Sequence, residues 1–303
     1  MKIISEAAIT RRSFWVEEIR KLSGKFGEDS ERLDAELTVE IEKGGTDVLV
    51  DHLRLCGDIP ESYGRNSSEE KLYSKYTDSL LCAAFKAIGF ESHVLKERGD
   101  AADVEAFAKG FSFVADAKAF RLSRTAKNQK DFKVQAMVGW KGKMKYAMVV
   151  CPIYQLPTES SQIYKQASAG KVCIFTFSHL AMLVRYAQLD SPEQSEIIVE
   201  NVLKVAQGLK PSKDATAYWD AINKTMLSHS KHLKTLWADE KAAALDSIDL
   251  AREESLAFLA SERARITKMS RKDAISELVK AHKIESRSAT IHSVTDNDIL
   301  GIQ

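Results

Sequence analysis

Asp116 and Lys118 flank a single alanine at the end of the apolar run Phe113-Val114-Ala115, and Asp103 opens the apolar run before it. Alternate side chains of a β-strand share a face, so Asp116 and Lys118 point the same way. If the two runs pair around Lys109-Gly110, Asp103 arrives at the same spot. Two carboxylates offer hard oxygen ligands to Mg²⁺, and the Ala117 carbonyl between the paired side chains can add another. The Lys118 ammonium can orient or deprotonate a water, or offset charge on a phosphate. Phosphodiester hydrolysis asks for those parts: an activated water, in-line attack and relief of charge on the phosphate and leaving oxygen. A bound cation would lower the lysine's pKa while two aspartates oppose it, so the base and positioning roles of Lys118 both stay open.

A bare Asp-x-Lys triplet also describes an ordinary salt bridge at a strand end. The charge just beyond the triplet favours chemistry. From Lys118 to Lys145 there are nine basic residues and one acid, Asp131, a local net charge of +8 in a chain whose total is +1. A phosphate-bearing substrate wants charge placed that way. Ser123 or Thr125 can cap a helix from about Ala126, which puts Arg121, Arg124 and Lys127 at or before a helix N-terminus, where phosphate is favoured. Asn128 can pair with adenine, Lys130 can donate to guanine and Asp131 can accept from cytosine. From Lys133 onward a solvated charged face is the better reading.

Helices and strands must position these groups, and their patterns run along the whole chain. Residues 1–60 are helical, with apolar residues at helical spacing in Arg12 to Leu22, Glu31 to Ile41 and Val48 to Leu55, and a break at Gly44-Gly45. Ser67 and Glu70 form a capping-box pattern ahead of a helix through Leu72, Tyr76, Leu80, Ala84 and Ile88 that stops at Gly89. Glu70 is then a capping partner, with an accessory acid near the cation as the alternative. Phe90 to Leu95 reads as a strand, Asp103 to Ala108 and Phe111 to Ala117 as a hairpin. Tyr146 to Cys151 and Lys171 to Phe177 read as strands buried on both faces. Helices are expected at Arg124 to Trp140, Ser161 to Ala169 and Ser178 to Leu189. The whole is an α/β fold, a mixed central β-sheet flanked by helices. Beyond Leu189 only helices are expected, at Glu193 to Gly208, Ala215 to Ser228, His232 to Ala260 and Arg271 to Lys283, with Ile284 to Gln303 weakly patterned and expected to fray. This divides the chain into an N-terminal helical segment (1–60), a core (61–190) and a mostly helical C-terminal subdomain (191–303) that serves packing or dimerisation.

A hydrophobic content of 44% with 29% charged residues is that of an ordinary globular protein and excludes a disordered chain. Cys56, Cys82, Cys151 and Cys173 lack CxxC spacing, which argues against zinc and disulfides. The N-terminus has no long apolar core and no window suits a membrane span, so a cytoplasmic protein without membrane contact is expected.

The segment Val114 to Val134, VADAKAFRLSRTAKNQKDFKV, closely resembles the HindIII-type type II restriction endonucleases of the PD-(D/E)XK superfamily. Glu69–Lys75 (EEKLYSK), Glu97–Val104 (ERGDAADV) and Pro157–Gln166 (PTESSQIYKQ) extend the resemblance, which covers roughly residues 55–190 well. Two departures stand out: the hairpin between Asp103 and Asp116 is shorter than in that family, and Ala102 fills the place of the proline in the superfamily's name.

The resemblance implies a restriction-endonuclease-like core and a homodimer that cuts double-stranded DNA at the palindrome AAGCTT, after the first A, leaving 5′ overhangs. It implies Mg²⁺ as cofactor, with Mn²⁺ expected to substitute, and a cognate modification methyltransferase that acts on the same site without needing to bind this chain. Metal ligation falls on Asp103, Asp116 and the Ala117 carbonyl, with Lys118 completing the catalytic set. Base readout falls on Asn128, with Ala126, Lys130 and Asp131 nearby. Glu97 is either an acid behind the ligands or a solvated turn residue. The alternatives are a structure-specific nuclease of the same superfamily, such as a junction resolvase, and a DNA-binding protein that has lost the chemistry.

Overall fold

A computed structural model describes residues 2–95, 101–124 and 129–293. The centre is a five-stranded mixed sheet in the order β1 to β5, with β1 (Glu91–Val94), β2 (Val104–Ala108), β3 (Phe111–Ala117), β4 (Tyr146–Cys151) and β5 (Cys173–Thr176). β1, β2 and β3 are antiparallel neighbours; β3, β4 and β5 run parallel. The β2–β3 hairpin turns at Gly110, whose φ of +98° is a conformation glycine takes without steric cost. β4 and β5 carry no exposed residue, as their unbroken apolar runs require.

The helices are α1 (Glu6–Arg20), α2 (Phe26–Leu55), α3 (Ser68–Ala87), α4 (Val134–Trp140), α5 (Gln162–Gly170), α6 (Phe177–Leu189), α7 (Pro192–Gly208), α8 (Ala215–Leu227), α9 (Lys231–Thr267), α10 (Arg271–Ala281) and α11 (Ile284–His292). Side-chain caps start α1, α3, α5, α6, α7, α8 and α10, from Ser5, Ser67, Ser161, Thr176, Ser191, Asp214 and Ser270. α2 is kinked at Gly45, where φ is 66° and ψ −154°, so the expected glycine break is a bend between two helices. α3 packs on β1, β2 and β3, while α4, α5 and α7 pack on β4 and β5. Leu49 and Leu53 of α2 and Val199 and Val202 of α7 share one core with the sheet.

One expected helix is not continuous. Of the expected helix from Arg124 to Trp140, the described residues from Gln129 on form a 3₁₀ turn at Gln129–Phe132 and then α4, separated by Lys133 with φ 50°. Phe132 and Val134 are both fully buried. Two residues apart, they would point to opposite sides of one α-helix, so the chain must change hand between them to bury both. The stretch expected to fray is helical as far as His292.

Two compact units meet in sequence between Ser255 and Leu256. The first holds the sheet and α1 to α8; in the second, neither α10 nor α11 buries a residue. All four cysteines are buried and free. Among the described residues no helix is long and apolar enough to cross a membrane.

Candidate active site

The hairpin register sets the geometry. Val104 pairs with Ala115, so the next step outward brings Asp103 opposite Asp116. Asp116 lies between β2 and β4, level with Val149 of the latter. The Lys118 N–H continues the parallel ladder to the Val150 carbonyl at 2.8 Å. Asp103, Asp116 and Lys118 thus converge at the carboxyl end of β3, held by backbone pairing on both sides.

Asp116 is completely buried, and the Lys118 ammonium donates to its Oδ1. Its Oδ2 is buried with no hydrogen-bond partner. Burial pushes the Asp116 carboxyl up to about 6; Lys118 pulls it down by less, and Asp103 adds to the rise. Burial also works against charge on Asp103, but its contact with Asp116 and the attraction of Lys75 and Lys118 outweigh it and hold that carboxyl below its usual range.

Lys75 and Asp78, both on α3, belong to the same neighbourhood, and sequence reasoning missed them. The Lys75 ammonium stands 3.3 Å from Asp78 Oδ2 and 3.3 Å from Asp103 Oδ1. Asp78 is buried, and burial holds its carboxyl well above the ordinary range, with Asp103 adding to the rise. The signal in the sequence is a lysine and an aspartate three residues apart within the helix, a spacing that surface ion pairs share. That spacing does not say which strand the pair faces.

The residues at this point fit a hard cation. Among the described residues no point is ringed by three or more His, Cys, Asp or Glu side chains. Two carboxylates, one of them with an orphaned buried oxygen, nevertheless suit Mg²⁺, which keeps several waters and takes few protein ligands. A partnerless buried carboxylate oxygen is costly unless something binds it.

The basic segment beyond Lys118 is tied down more firmly than its charge suggested. The Phe120 N–H donates to the Gly57 carbonyl at 3.1 Å, and the Phe120 carbonyl accepts from the Ile59 N–H at 3.3 Å. Arg121, expected on phosphate, is buried: Nη1 donates to the carbonyls of Pro60 and Tyr63 at 2.8 and 3.0 Å, and Nη2 to that of Gly64 at 3.1 Å. It holds the loop ahead of α3 against the strand end. Glu70 works on the same loop. Its N–H donates to Ser67 Oγ, and its carboxylate accepts from the Asn66 N–H at 2.6 Å and lies 3.4 Å from Arg121 Nη2. The cap reading of Glu70 thus has direct contacts behind it.

Arg124 lies over the Phe120 ring, 3.9 Å from its centroid, and donates to Asp131 Oδ2 at 2.6 Å. Lys130 is exposed in the 3₁₀ turn. Arg124 and Asp131 line an open cavity of about 460 Å³ together with Arg65, Asn66, Glu70 and Phe120. Ala126, Lys127, Asn128 and Glu97 lie outside the described residues.

Residues 12–295 match the family model described as HindIII restriction endonuclease. The chain is 36% identical over 270 residues to the type II restriction enzyme HindIII of Haemophilus influenzae, an alignment that covers 83% of this chain and 86% of that protein.

Proposed function

The chain belongs to the HindIII restriction endonuclease family, and from that premise we propose that it is a type II restriction endonuclease that hydrolyses double-stranded DNA at AAGCTT, after the first A, with Mg²⁺ bound by Asp103, Asp116 and the Ala117 carbonyl. The observation that carries the reading is the half-satisfied Asp116: fully buried, one oxygen on Lys118, the other without a partner. The bound cation would supply Lewis acidity to the scissile phosphate and acidify a water. Asp116 fixes the Lys118 ammonium at the strand end, where it can orient that water, hold its proton or offset charge on the phosphate. Arg124, Lys127 and Lys130 bring positive charge to the DNA backbone, while Asn128, with Ala126, Lys130 and Asp131 around it, reads base edges. Arg121 acts indirectly, by fixing the loop on which Arg65 and Asn66 stand. A palindrome read by one chain twice calls for a homodimer, each subunit cutting one strand.

Digestion of a sequenced plasmid by the purified protein with Mg²⁺, with a chelator control, tests this. Discrete cuts at AAGCTT with 5′ overhangs, lost with the chelator, are expected. Discrete cuts elsewhere would retain the nuclease and discard the readout residues. Cutting only at branched DNA would turn the reading to a junction resolvase, and binding without cutting to a silent DNA-binding protein.

A further inference from the structure

Lys75 bridges two carboxylates that differ in exposure. The Asp78 side chain is 3% exposed, that of Asp103 29%, and that of Lys75 itself 34%. Both contacts measure 3.3 Å, so distance does not rank them. Solvent does: the Asp78 contact is closed to water, where losing a hydrogen bond from the ammonium is costly whatever the charge on that carboxyl, whereas the Asp103 contact is open to water and worth little. A lysine on a flexible four-carbon stem will therefore let go of Asp103 first and keep Asp78. Its departure bares the carboxylate that stands opposite Asp116.

Resting on the reading of Asp103 and Asp116 as cation ligands, we propose that Lys75 is the counter-ion a divalent cation must displace from Asp103, and that Asp78 is the anchor that keeps the ammonium within reach. The pair sets the cation affinity of the site. Without the cation, Lys75 neutralises Asp103 and keeps it in place; with it, the ammonium withdraws to Asp78 and one positive charge is exchanged for two. Asp78 is thereby a positioning residue, acting only through Lys75. The arrangement predicts weaker cation uptake than two bare carboxylates would give, and hence a site that fills fully only when DNA phosphate adds its own oxygens.

The test is uptake of Mn²⁺ alone by the full-length protein without DNA, monitored by the loss of the free-ion electron paramagnetic resonance signal. Lys75→Met should bind Mn²⁺ about three- to tenfold more tightly than the wild type, the scale of one partly exposed charge pair. Lys75→Arg, which restores the charge, should return affinity to near the wild-type value. Should Lys75→Met fail to fold with Asp78 left alone, the double variant Lys75→Met/Asp78→Asn removes the ammonium and the buried carboxyl together and should show the same tightening. Unchanged or weaker uptake in the neutral variants would overturn the proposal. Asp116→Asn is the separate control: it should lose uptake, and wild-type uptake by this variant would overturn the cation reading itself and the proposal with it.

Discussion

Two parallel strands of one sheet end in buried titratable groups, and the fold treats them in opposite ways. At the end of β5, Thr176 caps α6 and His179 sits in its first turn. His179 is fully buried, its Nδ1 2.8 Å from Thr176 Oγ1 and its Nε2 2.9 Å from Asn223 Oδ1. Its ring stacks 4.3 Å from Trp237 and 4.8 Å from Phe175. Every polar atom of the ring has a partner, and burial, opposed only weakly by Asn223, lowers its pKa to about 4. At the end of β3, Asp116 is equally buried but keeps one oxygen without a partner. The two groups are equally buried and differ in their hydrogen bonding, complete around the His179 ring and incomplete at Asp116.

The largest effect expected from breaking this contrast is on cleavage. Asp116→Asn should lower the cleavage rate by at least about 10³-fold, the scale of losing one preorganised charge-stabilising group. Its stability cost should stay within about 3 kcal/mol, because the Asn carbonyl can still accept from the Lys118 ammonium, which would otherwise be left nearly buried without a partner. Cleavage rates and denaturant unfolding of the same preparation check both halves. His179→Ala should do the reverse, costing about 3 kcal/mol of stability through the cavity and the lost ring stack while leaving the rate per folded molecule unchanged.

The acid limb of stability sharpens the contrast. The folded pKa of His179, about 4, lies below the ordinary 6.5. Between those values the unfolded chain binds a proton that the folded chain refuses. The contribution is complete above pH 6.5 and is lost as pH falls towards 4, by about 3 kcal/mol at most. Unfolding curves at intervals from pH 7 to 4 should show that slope, and His179→Gln should flatten it. The smallest effect belongs to Thr176→Val, which removes a cap and one ring partner: about 1 kcal/mol in unfolding, with no change in cleavage.

Much of the β3 site was legible because it is local. Gly110 marks the hairpin turn, the apolar alternation fixes the register, and register alone brings Asp103 to Asp116. The resemblance then gave the triplet its meaning. What the sequence did not disclose depends on contacts between distant segments. Lys75 and Asp78 matter only because α3 lies over β2 and β3. Arg121 looked like one more basic residue beside a phosphate site, yet the carbonyls of Pro60, Tyr63 and Gly64 claim its guanidinium. The left-handed Lys133 arises from the need to bury both Phe132 and Val134, which helical periodicity at that spacing forbids.

On the proposed reading, Asp116 keeps one oxygen without a partner because it serves the reaction rather than the fold. Its most direct test pairs two readouts on Asp116→Asn with one AAGCTT duplex: gel-shift binding without metal, and strand cleavage with Mg²⁺. Binding within about threefold of the wild type and no detectable cleavage are expected. Cleavage at the wild-type rate, or loss of binding together with cleavage, would contradict it and return Asp116 to the class to which His179 belongs.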